Sequence, residues 1–150
     1  MRKIQSLALL LASLAFAPAA MADDPAENYN TGQAGQPVLT AISVPFPTKS
    51  TTFRPDAGTA ELLSEAKEAA MIYVSGRTST PRPSAADEAL ALRRALSARQ
   101  YLIARGVSPL KIMVNFASAT DFVADNSTPE GQYQNQRVDI ELVYVPTWYQ

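Results

Sequence analysis

The chain has 150 residues, with 13 Lys or Arg against 14 Asp or Glu, and it contains neither Cys nor His. Lack of Cys excludes disulfides, thiolate metal sites and lipid attachment at a lipobox, and lack of His removes the usual general base and the commonest metal ligand. The slight acidic excess argues against a nucleic-acid partner, which would select a basic face.

Residues 1–22 combine Arg2 and Lys3, an apolar run from Leu7 to Phe16, and Ala20-Met21-Ala22 before Asp23. That pattern is expected to be a secretory signal peptide with an A-x-A cleavage site. The run is shorter than the roughly 20 residues a transmembrane helix needs, and no later stretch is long enough either. The expected location is therefore the periplasm, with attachment to the outer membrane or cell wall through partners. Cleavage removes two basic residues and deepens the acidic excess, leaving enough chain for one domain with a real core.

Residues 23–40, rich in Asp, Asn, Gly, Gln and Pro, read as a flexible arm. From Ala41 the chain is extended, and Pro45 and Pro47 mark it as an edge or bulged strand. Ala57 to Ala70 has helical composition, with Leu62, Leu63, Ala66 and Ala70 on the expected buried side. MIYVSG, from Met71, follows as a short buried strand.

Pro81 and Pro83 exclude helix from the next loop. A long helix begins near Ser84, which with Asp87 makes an acidic capping box, and ends at Gly106, where a left-handed residue is needed. About 22 residues give a rod of roughly 33 Å. Leu90, Ala91, Ala95, Ala98, Tyr101 and Leu102 share a broad face widened by Leu92, Leu96 and Ile103, with Asp87, Arg94 and Arg105 at its margin. Lys111 to Ala119 reads as a strand, and a polar stretch with a short helix comes next. In the last strand, Arg137 to Val145, the residues Val138, Ile140, Leu142 and Tyr144 face one way. The domain is expected over residues 41–146, with 147–150 a short tail. This order predicts an α/β (α+β) sandwich, β-α-β-α-β-(α)-β, with helices on one face of a mixed four-stranded sheet.

Four motifs in order resemble the OmpA-like C-terminal domain family. VPFPTKSTTFRPD, from Val44, is similar to its opening strand and F-D-F-D-S-x-x-L-x-P pattern; Gly76-Arg77-Thr78-Ser79 is similar to G-x-T-D. DEALALRRALSARQYLIARGV, from Asp87, is similar to N-x-x-L-S-x-x-R-A-x-x-V-x-x-Y-L-x-x-x-G-V. DNSTPEGQYQNQRVDI, from Asp125, is similar to the family's D/N-N-x-T-x-E-G-R-x-x-N-R-R-V-E-I.

The resemblance implies noncovalent binding of the peptide stem of peptidoglycan, through the ammonium and carboxylate of meso-diaminopimelate. The family's Arg takes the carboxylate and the Asp of T-D takes the ammonium. The pocket positions it implies here are Lys49, Thr78, Ser79, Asp87, Arg94 and Arg137. Arg94 keeps the Arg. Ser79 replaces the Asp, Lys49 stands where Asp or Asn is usual, and Asp87 stands where Asn is usual. Exchanging a charged acceptor for a hydroxyl loses roughly 1.5–3 kcal/mol, or about tenfold to 150-fold in affinity. Asp87 either restores the missing negative charge or pairs with Lys49.

Asp121, Asp125 and Asn126 lack the spacing of a calcium loop, Ser79 has no identifiable base, and no glycine-rich phosphate loop exists. No metal, cofactor or catalytic residue is expected. The sequence thus points to a non-enzymatic structural protein of the cell envelope, a subunit of an outer-membrane-associated secretion, conjugation or pilus assembly with a partly degenerate pocket. The alternative is a true cell-wall anchor using Arg94 and Asp87. Its partners are envelope or secretion-complex proteins, with peptidoglycan as the other candidate; the arm and Trp148-Tyr149 are the expected docking edges.

Overall fold

The computed structural model describes residues 36–146. The expected signal peptide, most of the arm and the tail with Trp148 and Tyr149 lie outside them. The first strand, β1 (Val38–Pro45), begins three residues before the expected domain boundary, because Val38, Leu39 and Thr40 pair with Tyr144, Val143 and Leu142. It is followed by α1 (Ala57–Ser64), β2 (Met71–Arg77), α2 (Ala85–Ala104), β3 (Ile112–Ala117), α3 (Pro129–Asn135) and β4 (Arg137–Tyr144). Short 3₁₀ turns cover Glu65–Glu68 and Pro109–Lys111.

The sheet order is β1-β4-β2-β3, so β1, which ends at Pro45, lies at an edge, as a strand proline favours. β4 is antiparallel to both of its neighbours, while β2 and β3 are parallel and need a crossover, which α2 supplies. Alternation along each strand sorts the faces. Ile42, Val44, Ile72, Val74, Ile112, Val138, Ile140 and Leu142 are buried under the helices, whereas Tyr73, Met113 and their neighbour Glu141 are exposed on the other face.

Helix α2 begins as its sequence dictates: the Ser84 hydroxyl caps the Asp87 amide at 3.1 Å and donates to the Asp87 carboxylate at 2.5 Å. Gly106 follows the helix with φ 92°. The buried stripe is Ala91, Arg94, Ala95, Ala98 and Leu102. Small residues let the helix approach the sheet closely. A Cβ added at Gly76 would lie 2.0 Å from the carbonyl oxygen of Ala91, so only glycine fits where β2 passes under the helix. Leu96, expected within the apolar face, is exposed. After α1 the chain tightens into the 3₁₀ turn, which shifts the buried position from the expected Ala70 to Ala69; within α1 itself Leu63 is buried and Leu62 exposed.

Candidate functional site

The close passage of β2 under α2 sets Arg94 one helical turn beyond Ala91, beside the end of β2. Its side chain is fully buried. The guanidinium donates from Nε to the Ser50 carbonyl at 3.0 Å and from Nη1 to the Arg77 carbonyl at 3.1 Å. Nη2 donates to the Pro47 carbonyl and to Gln136 Oε1, both at 3.4 Å. The Phe46 ring lies 5.3 Å from the guanidinium carbon. Each of these acceptors is neutral. Burial without a carboxylate pushes the Arg94 pKa down to about 10, so the group stays charged at neutral pH, solvated by dipoles alone.

Three segments carrying expected pocket positions therefore meet at Arg94 through their neighbours: Ser50 beside Lys49, Arg77 beside Thr78 and Ser79, and Gln136 beside Arg137. Thr78 is buried, its hydroxyl 3.0 Å from that of Thr80. Ser79 is half-buried; its carbonyl accepts from Asn126 Nδ2 at 2.7 Å, and its hydroxyl makes no hydrogen bond among the described residues.

The other charged positions are used elsewhere. Arg137, also buried, holds both carboxylate oxygens of Asp139 at 2.9 Å through Nε and the Asp121 carbonyl at 2.8 Å through Nη2. It braces the start of β4 against the loop before α3. Arg77 Nε takes the Asp121 carboxylate at 2.9 Å. Asp121, in the left-handed region at φ 55°, is thus held from both sides.

The pairing of Lys49 with Asp87 that the sequence allows is not formed. The ion pairs among the described residues are Arg77 with Asp121 and Arg137 with Asp139. Lys49 is exposed at a turn with φ 61°, and the Asp87 carboxylate is engaged by the Ser84 hydroxyl. Local capping competes better for Asp87 than a flexible lysine does.

The Asp125–Val138 motif serves as a frame. Buried Asn135 accepts from the amides of Val123 at 2.8 Å and Ala124 at 3.1 Å, and donates to Ala124 O and Asn126 Oδ1. Asn126 in turn fixes Ser79. Gly131 lies against Asp125, where a Cβ would come within 1.7 Å of the carbonyl oxygen. Two parts of the site escape the sequence reading: the carbonyl cage of Ser50, Arg77 and Pro47, and Gln136. The only sequence signal for Gln136 is that Asn135-Gln136-Arg137 departs from N-R-R.

The model of the OmpA family matches residues 47–136. The chain belongs to the OmpA family. A Brucella suis protein, whose name describes an outer membrane lipoprotein of a type IV secretion system, is 32% identical over 110 residues, or 72% of this chain. The match spans 64% of that relative's own length. Among solved structures, the OmpA-like domain of Francisella tularensis FopA1 superposes with a TM-score of 0.60 at 16% identity, covering 77% of this chain and 79% of that one. The peptidoglycan-associated lipoprotein from Burkholderia pseudomallei gives 0.58 at 24% identity, covering 67% and 88%. These likenesses show the fold, a mixed four-stranded sheet with helices on one face.

Proposed function

We propose that this chain is a non-enzymatic structural protein of the cell envelope, exported to the periplasm, that serves a secretion-type assembly at the outer membrane. Its peptidoglycan pocket is kept by half. The carboxylate end, Arg94, is in place; the ammonium end, where the family's Asp would stand, is the neutral Ser79. The observation that carries this reading is the charge of Arg94, buried among neutral acceptors only. A buried cation without an anion is the arrangement that a ligand carboxylate improves most. The name of the Brucella relative supports the secretion assignment, and the name of the Burkholderia structure supports a cell-wall ligand.

A second reading, full anchoring through Arg94 and Asp87, draws on the negative charge of Asp87 on the same helix. Against it stands the Ser84 hydroxyl on the Asp87 carboxylate. Cosedimentation of the chain with purified sacculi separates the two. Weak, saturable retention that is unchanged in Asp87→Asn is expected from the half-site; loss of retention in Asp87→Asn supports full anchoring, and no retention of either protein contradicts both.

A further inference from the structure

The four contacts of Arg94 are unequal. Nε and Nη1 are held at 3.0 and 3.1 Å by the carbonyls of Ser50 and Arg77, while both contacts of Nη2 are at 3.4 Å, the long end of the hydrogen-bond range. A guanidinium has five N–H groups, so one on Nη1 has no acceptor among the described residues. The loosely held Nη2 edge, with that spare Nη1 hydrogen, is the part of the group still able to take a carboxylate.

Gln136 covers this edge. Its backbone is locked: its amide donates to the Gln132 carbonyl at 3.0 Å at the end of α3, and its carbonyl accepts from the Phe46 amide at 2.6 Å. Its side chain is held by the single 3.4 Å contact to Arg94, and its Nε2 makes no hydrogen bond among the described residues. A change of rotamer therefore frees one Nη2 hydrogen, with the Pro47 carbonyl still on the other.

We propose that Gln136 sets how tightly Arg94 takes a carboxylate. Its amide oxygen stands in for the ligand carboxyl on the Nη2 edge and leaves when the ligand binds. This rests on the half-site reading above, and it makes Gln136 a positioning residue that acts by competition. Removing the competitor returns about what a neutral hydrogen bond contributes, roughly a two- to tenfold gain in affinity. Replacing it with a carboxylate closes the site.

The test uses the full chain with Gln136→Ala and Gln136→Glu, two probes and two readouts. The first probe is acetate, exchanged for chloride at constant ionic strength, with Tm as the readout. Acetate is expected to raise the Tm of Gln136→Ala more than that of wild type and to leave Gln136→Glu unmoved. In chloride, Gln136→Glu is expected to melt about 4 °C or more above wild type, because the buried cation acquires its anion. The second probe is a stem peptide containing meso-diaminopimelate, with affinity as the readout. Gln136→Ala is expected to bind two- to tenfold tighter than wild type, and Gln136→Glu not at all. This opposite movement of stability and binding in Gln136→Glu is one that a merely structural glutamine would not give.

A lower Tm for Gln136→Glu, or equal acetate responses in wild type and Gln136→Ala, overturns the role of Gln136 whatever the stem peptide does. Acetate effects as expected, without stem-peptide binding by any variant, leave the competition standing and overturn the peptidoglycan reading instead. Should Gln136→Ala not fold, the acetate response of wild type beside that of Gln136→Glu decides: equal responses overturn the role of Gln136, and a rise in wild type alone supports it.

Discussion

Arg94 donates through Nη1 to the carbonyl oxygen of Arg77 at 3.1 Å, two residues before Ser79. The residue expected to receive a ligand carboxylate is thus also the pin that holds the end of β2. Binding and stability therefore share a side chain. Arg94→Ala removes the donor for three backbone carbonyls and leaves a cavity, so a loss of about 3 kcal/mol or more is expected in urea denaturation. Arg94→Lys retains the charge without the planar fork, and a smaller loss of roughly 1–3 kcal/mol is expected. Equal stability of Arg94→Ala and wild type would show that the carbonyl cage is not held by this residue.

Gly76 sets the distance between β2 and α2, with the Ala91 carbonyl 2.0 Å from where a Cβ would stand. Gly76→Ala must push the helix off the sheet, carrying Arg94 with it. A loss of about 3 kcal/mol or more in urea denaturation is expected, and the site is expected to be disordered with it. By contrast Gly58, whose added Cβ meets only a side-chain oxygen of Asp56 at 3.7 Å, is expected to accept Ala with unchanged or slightly raised stability.

Among the described residues, Asp56 and Asp125 are acid-sensitive points. Asp56 caps α1 by accepting from the Thr59 amide at 2.7 Å, and Asp125 accepts from the Ser127 amide and hydroxyl. These bonds hold both carboxyls below the ordinary value of 3.8. A depressed folded pKa means that the folded state binds fewer protons than the unfolded one. The stability these groups contribute is therefore fully present above the unfolded pKa and is lost as pH falls through the folded one. Tm followed from about pH 5 to pH 2 is expected to fall, and Asp56→Asn is expected to flatten part of that fall. An unchanged slope in the variant would count against the cap at Asp56.

Much of this fold is written locally. The alternation of Val138, Ile140 and Leu142, the Ser84 cap and the stop at Gly106 each depend on neighbours within a turn or a strand, and each stands where the pattern puts it. The burial of Arg94 is not local. On a helical wheel it falls at the margin of the apolar face, as a solvated charge would, yet its acceptors come from Pro47, Ser50, Arg77 and Gln136, on segments distant in sequence. Backbone carbonyls carry no residue-type signal, so the cage was invisible until the chain was folded. The shift from Ala70 to Ala69 has a similar cause, since nothing in Glu65–Glu68 announces a 3₁₀ turn. The OmpA motifs marked Arg137 and Asn135, and folding shows where their hydrogen bonds go: to the loop before α3 and to the start of β4.

The half-site is tested most directly by calorimetric titration of the chain with a stem peptide containing meso-diaminopimelate, wild type beside Ser79→Asp. Wild type is expected to bind weakly. Ser79→Asp is expected to bind about tenfold to 150-fold tighter, the gain from restoring a charged acceptor for the ammonium. Equal affinity of the two proteins would contradict the claim that the ammonium end of the pocket was lost at Ser79.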